Sequence, residues 1–255
     1  MKFKTTPYHS DLLKDHDRLA IFLQAINDYN AENEVAYDLG CGSGILSYFL
    51  ADKFNEIIAL EIDKKAYNCA KENLKDFNNI EVVNRDVLNY NFSKKADLIV
   101  CEMLDTALID EEQVPVLNYA KNFLKDTGKF IPEGVINSAQ LVSMQREHIH
   151  WDEGAKYEEI SDEVIYSEIC FSDELNPDFT TNLKFKVTED ALLNGLKITT
   201  YTILSKNLIA GPLPMLNPPL LIPLNEKQVK RNNFINVKLK YTMGEGIESI
   251  QLEYD

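Results

Sequence analysis

Cysteine, histidine and tryptophan are scarce in this chain of 255 residues, at four, four and one. The cysteines, at 41, 69, 101 and 170, form no CxxC pair and lie in or beside apolar runs. That excludes a zinc ribbon or a disulfide framework and predicts reduced core residues. His9, His16, His148 and His150 form no cluster with them. His148 and His150 fit one face of a strand, but two rings alone make no metal site and none is assigned. Positive charge is also short: 26 Lys and Arg stand against 41 Asp and Glu, for a net charge of -15. A scanning grip on nucleic acid needs a basic track, which this balance opposes. RNA held by a local patch or a partner stays open, and a basic protein or peptide would be attracted. No apolar run suits a membrane span, and the start Met1-Lys2-Phe3-Lys4-Thr5 turns polar at once, so the expected location is cytoplasmic. What remains is 45% apolar and 26% charged, a globular composition with one large core or two modest ones.

Periodicity divides the chain. Residues 11–29 read as an amphipathic helix, with Leu12, Leu13, Leu19, Phe22, Leu23 and Ile26 near helical spacing. Val35–Leu39 is a first strand, Ile45–Ala51 a helix, Ile57–Ile62 a buried second strand and Lys64–Phe77 a helix. Ile80–Val83 and Asp97–Cys101 are further strands, and Glu112–Leu124 is a helix closed by Asp126-Thr127-Gly128. Strands alternating with helices predict an α/β fold with a parallel, doubly wound sheet whose ligand sits beyond the C-terminal strand ends. After Ile131-Pro132-Glu133-Gly134 the period becomes two, as in Leu183, Phe185 and Val187 or Ile235, Val237, Leu239 and Tyr241. An antiparallel barrel or sandwich is expected there, giving units 1–131 and 132–255. Asn217-Pro218-Pro219 and Pro223 place a constrained loop or edge strand in the second unit.

The chemistry concentrates in Asp38-Leu39-Gly40-Cys41-Gly42-Ser43-Gly44 and in Glu61 at the end of the second strand. Glycine lets a ligand approach the backbone, and the helix that follows offers free N–H groups. Asp38 is placed to hold loop N–H groups or to receive a ligand ammonium through water. Glu61 is placed to accept both hydroxyls of a ribose, with Asp63 as its competitor. A dinucleotide fingerprint asks for glycine at the first, third and sixth positions. Here Gly40, Gly42 and Gly44 take the first, third and fifth, and Ile45 the sixth. That spacing favours adenosine with an amino-acid tail over NAD. Asp86 is a candidate for adenine N6, with Val87 as an apolar edge. Glu102 and Glu111 bracket a loop after the fourth strand and could face each other as a clamp for a guanidinium. Asp105 and Asp110, between them, are expected to face solvent.

At these residues the chain resembles class I S-adenosylmethionine (SAM)-dependent methyltransferases, and within them the protein arginine methyltransferases. The resemblance runs from about residue 8 into the second unit. It implies a Rossmann-like domain followed by a β-barrel, SAM as cofactor and S-adenosylhomocysteine (SAH) as product. Asp38 to Gly44, with Cys41, looks like the family's SAM loop, and Glu61, followed by Ile62, like its ribose-binding end. Glu102 and Glu111 have the spacing of its double-glutamate loop, Glu102 also lying beside the cofactor. The segment His9-Ser10-Asp11-Leu12-Leu13-Lys14-Asp15-His16-Asp17-Arg18 looks like the one leading to the cofactor-carboxylate arginine. Arg18 is thus implied to pair with the methionyl carboxylate, and His9 to order the site.

The chain also departs from that pattern. The tyrosine-bearing N-terminal helix that lids cofactor and substrate is not read before Tyr8, and no Thr-His-Trp loop is found in the second unit. The family's dimerisation arm reads as shortened or missing, and compact archaeal methylase-like proteins are the better likeness. Three functions follow: transfer of a methyl group to nitrogen, with protein arginine as the finer reading; methylation of an RNA base; and SAM binding without catalysis.

Overall fold

Five parallel strands form the first sheet of the computed structural model, which describes residues 3–30, 34–145, 147–152, 154 and 156–255. Two helices precede them, α1 (Pro7–Lys14) and α2 (His16–Asp28). The single helix expected over 11–29 is therefore broken. Asp15 leaves helical geometry and its carboxylate accepts the Arg18 N–H at 2.9 Å, capping α2. Then come β1 (Val35–Leu39), α3 (Ile45–Leu50), β2 (Glu56–Glu61), α4 (Lys64–Asn73), β3 (Ile80–Asn84), β4 (Ala96–Cys101), α5 (Gln113–Ala120) and β5 (Leu124–Ile131).

The strand order β3-β2-β1-β4-β5 puts β1 between β2 and β4. Its residues are all buried, as a central strand covered on both faces requires. The chain reverses its winding between β1 and β4, which opens a crevice at their C-terminal ends. The helix expected to run to Leu124 stops at Ala120, passes through one 3-10 turn, and gives way to β5. Phe130 and Ile131 pair with Ile99 and Val100 of β4, so the polar stretch 125–129 belongs to an edge strand, not a helix stop.

A cis Ile131–Pro132 peptide precedes β6 (Gly134–Met144). The strands that follow are β7 (His150–Trp151), β8 (Tyr157–Glu159), β9 (Val164–Cys170), β10 (Asp178–Lys186), β11 (Ala191–Ser205), β12 (Leu208–Ala210), β13 (Leu220–Val229), β14 (Phe234–Thr242) and β15 (Gln251–Tyr254). They form sheets ordered β7-β13-β11-β6-β8 and β10-β14-β15, with β9 on β6 and β12 on β11. The period-two reading is visible in β14, where Ile235, Val237, Leu239 and Tyr241 are buried and the residues between them exposed. One apolar cluster extends from Tyr37 and Ile99 through Leu108 and Ile109 to Leu196, Phe185 and Tyr241, joining the parallel sheet to both antiparallel ones. Cys41 and Cys101 are buried, but Cys69 is half-buried and Cys170 exposed, against the expectation of four core thiols. Cys170 ends β9, where alternation turns its side chain outward.

Candidate functional site

The glycine loop is fastened to the neighbouring strand before any ligand is considered. Gly40 and Cys41 both donate their N–H to the Leu60 carbonyl of β2, each at 2.9 Å. The Gly42 N–H donates to Glu61 Oε2 at 2.8 Å, while Oε1 accepts the Asp63 N–H at 2.7 Å. Asp38, expected to hold loop N–H groups or to receive a ligand ammonium through water, accepts the Ser47 hydroxyl of α3 at 2.5 Å. Holding the loop falls to Glu61. Gly42 and Gly44 take left-handed φ angles of +55° and +86°; a Cβ on the first would lie 2.6 Å from the His9 ring, and on the second 2.6 Å from Leu74. Complete burial pushes the Asp38 carboxyl up to about 7, against the hydrogen bonds from Ser47.

Arg18 enters the same cleft from α2 and is only 3% exposed. Its Nη2 donates to Glu102 Oε2, just beyond β4, while Nε and Nη1 are buried without a partner among the described residues. Burial raises the Glu102 carboxyl and the Arg18 charge opposes that rise. Glu111 lies across the mouth, its carboxyl raised by partial burial and then by Asp110, Glu102 and Glu112. The cleft is thus lined by Glu61, Glu102 and Glu111 together with Arg18, which pairs with Glu102, and Glu111 has no ion-pair partner among the described residues.

Between the two glutamates the chain makes a strained turn. Ala107 and Leu108 have φ of 58° and 59°, a region costly for residues with a Cβ. The second unit holds this turn. Ala107 donates its N–H to Thr200 Oγ1 at 2.8 Å, and the Thr200 hydroxyl donates to Asn137 Oδ1 at 2.6 Å. Gly244 and Gly246 donate their N–H groups to the Ile109 carbonyl at 3.0 and 2.8 Å. Asp105 is buried within the turn, contrary to the expectation of a solvent-facing side chain. The cause is three backbone N–H groups that its oxygens accept, from Ile109, Asp110 and Glu111. Asp110 is exposed, as expected.

His9, Arg18, Gly40, Cys41, Gly42, Glu61, Ile62, Glu102 and Glu111 all line the cleft. Ile62 is 68% exposed, placing an apolar side chain beside the acids. Gly44 lies behind the loop against Leu74 and Ala70. Asp86 and Val87 do not join the lining. Asp86 accepts the Leu88 N–H at 2.9 Å and the Asn89 side-chain amide at 2.8 Å, and Val87 is buried in the main core. His150 is likewise engaged elsewhere, its Nδ1 lying 2.7 Å from the His148 carbonyl.

Three lining or supporting residues escape sequence reasoning. Tyr8 of α1 lines the cleft although 61% exposed, so a tyrosine does stand on a short helix at the mouth. Gln113 at the start of α5 locks the end of β4, accepting the Met103 N–H at 3.0 Å and donating to the Cys101 carbonyl at 2.9 Å. Met215 reaches the cleft from the second unit, and its N–H donates to Asp15 Oδ2 at 3.2 Å. Tyr8 carries a weak signal in its place beside His9; Met215 carries none, being 200 residues from its partner.

Comparison with known proteins places this geometry. Residues 15–159 match the family model described as ribosomal protein L11 methyltransferase (PrmA). An uncharacterized protein of Methanothermobacter thermautotrophicus is 44% identical over 251 residues, covering 98% of both chains. Another from Methanocaldococcus jannaschii is 43% identical over 99% of this chain and 98% of its own. A ribosomal protein L11 methyltransferase of Thermoanaerobacter pseudethanolicus is 30% identical over 136 residues, which is 51% of this chain and 42% of that one. In fold, the chain is similar to a Trypanosoma brucei PRMT1 enzyme-prozyme complex with AdoHcy, with TM-score 0.81 and 15% identity over 98% of this chain and 96% of that one. The likeness to arginine methyltransferases thus lies in the fold, a Rossmann-like sheet followed by antiparallel β-structure, while the matching sequence family is PrmA. No helix among the described residues is long and apolar enough to cross a membrane.

Proposed function

We propose an acceptor for a chain that belongs to the ribosomal protein L11 methyltransferase (PrmA) family and is a SAM-dependent methyltransferase: a nitrogen on a basic protein or peptide. The observation that carries this reading is the pairing of unlike needs in one cleft. Among the described residues, Arg18 presents two buried donors without a partner, while Glu111 stands at the mouth as a carboxylate with no ion-pair partner. A buried guanidinium left half-satisfied is costly and fits a carboxylate. The methionyl carboxylate of SAM is of that chemistry, so the residues present fit the cofactor.

Arg18 is the residue we assign to that carboxylate, Gly40 to Gly44 to the cofactor's close approach, and Glu61 to its ribose. SAM, when bound, supplies an electrophilic methyl group on sulfur. Glu102 and Glu111 would orient the acceptor nitrogen toward it and stabilise its positive charge, with positioning as the main contribution. A guanidinium, whose planar fork matches two carboxylates, is the finer form of the proposal. The net charge of -15 favours a cationic partner over RNA.

The test is transfer of labelled methyl from SAM into a cell extract that is then split between protease and ribonuclease. Label released by protease alone is expected. Label released by ribonuclease alone would replace the protein acceptor with RNA, and label in neither would point to a small molecule or to binding without turnover.

A further inference from the structure

We infer that Asp105 is a positioning residue that sets the Glu111 carboxylate at the mouth of the cleft by holding the backbone on which Glu111 is carried. The inference rests on the acceptor reading above, but its first observation is independent of it. Asp105 Oδ2 accepts the N–H of Ile109 at 3.0 Å and of Asp110 at 2.9 Å, and Oδ1 accepts the N–H of Glu111 at 3.2 Å. Three consecutive amides thus converge on one carboxylate, and the last belongs to Glu111, which lines the cleft. Such charge-assisted bonds are about twice as strong as neutral ones.

The turn needs this hold. Ala107 and Leu108 sit consecutively in left-handed geometry, a conformation that persists only when the surroundings over-determine it. From the second unit, Thr200, Gly244 and Gly246 fix Ala107 and Ile109. From within, Asp105 fixes residues 109 to 111. Glu111 is the point at which the second set of constraints ends, with its side chain lining the cleft and making no hydrogen bond among the described residues.

The charge arrangement argues against a purely structural device. Asp105 is buried next to the like charges of Asp110 and Glu111 and faces Tyr241 of β14. Burial pushes its carboxyl up to about 7, with those two acids adding to the rise and the amides opposing it. The amides of 109 to 111 are the groups that hold this carboxylate against its burial and the acids beside it, and they lead directly to Glu111.

Asp105→Asn and Asp105→Ala, each in the full chain, separate the possibilities. Asparagine keeps one acceptor oxygen and alanine none, so effects should be graded. Hydrogen exchange at the amides of 109, 110 and 111 is expected to speed by about tenfold in the first and more in the second, as loss of bonds to a charged acceptor implies. SAH affinity should stay within about twofold, and kcat for methyl transfer to a short glycine-arginine peptide should fall in the same graded order. Unchanged exchange would overturn the inference, as would SAH affinity falling in parallel with transfer, the mark of general loosening. If wild-type protein methylates no such peptide, the guanidinium form of the acceptor reading fails, and the exchange and SAH measurements alone decide the role of Asp105.

Discussion

Arg18 and Glu102 are ion-paired inside the cleft although 84 residues separate them in the chain. The pair joins the residue assigned to the cofactor with one assigned to the acceptor. Neutralising Glu102 leaves a buried guanidinium with no charged partner, which costs about 1–3 kcal/mol when a hydrogen-bonding side chain replaces it. Glu102→Gln should therefore lower the melting temperature of the cofactor-free protein and reduce methyl transfer severely. SAH affinity should be kept or rise, because Arg18 is released to its carboxylate. Calorimetric titration with SAH decides this; a collapse of affinity would remove Glu102 from the acceptor side.

Gly42→Val should abolish SAH binding. A Cβ at this position would lie 2.6 Å from the His9 ring, and the φ of +55° is strained for a branched residue by about 1–3 kcal/mol. Circular dichroism would verify that the fold survives. Binding at wild-type affinity would mean that the cofactor does not approach this glycine.

Thr200→Val tests whether the second unit governs the acceptor loop. The substitution leaves the buried Ala107 N–H and Asn137 side chain short of a partner, at a cost of about 1–3 kcal/mol. Transfer should fall while SAH affinity stays within about twofold, since Thr200 contacts the acceptor loop and does not line the cleft. Equal losses in both would assign Thr200 to overall stability only.

Asp38 gives stability a definite pH slope. Its folded carboxyl is raised to about 7 by burial, from the ordinary value of 3.8. The native state then holds a proton that the unfolded chain has released, so this group's contribution is full below pH 4 and is lost as pH rises toward 7. The total is on the order of a few kcal/mol. Asp38→Asn should remove that slope, and its stability relative to wild type should improve between pH 5 and pH 8. Denaturant titrations at those two values measure it; a relative stability independent of pH would show that Asp38 is not raised.

The sequence was most readable where one segment carries the information. The run Asp38 to Gly44 and the buried strand before it disclose a sheet, a turn and a ligand class, because glycine geometry is local. Glu102 and Glu111 were visible as a pair by spacing. Their surroundings were legible only in part: the resemblance points to Arg18, but its pairing with Glu102 and the arrival of Thr200 and Met215 come through long-range packing that leaves no periodic trace. Asp105 reads as solvent-facing for a related reason: an acid in a polar loop looks solvated until the backbone amides that surround it are known. The edge strand β5 was hidden by Lys125 to Lys129, whose polarity suits a solvent-facing edge as well as a helix stop. Asp63 reads in the sequence as a competitor of Glu61, yet its N–H and that of Gly42 share the Glu61 carboxylate.

The apolar cluster that runs from Tyr37 to Tyr241 bears on how this protein comes apart. Leu108 and Ile109 of the acceptor loop are wedged between the sheets, so a fragment cut after Ile131 would bare that seam to water and self-associate. Heat should melt the parallel and antiparallel sheets together, in one cooperative step. The cleft and its distant supports would then be lost at the same temperature.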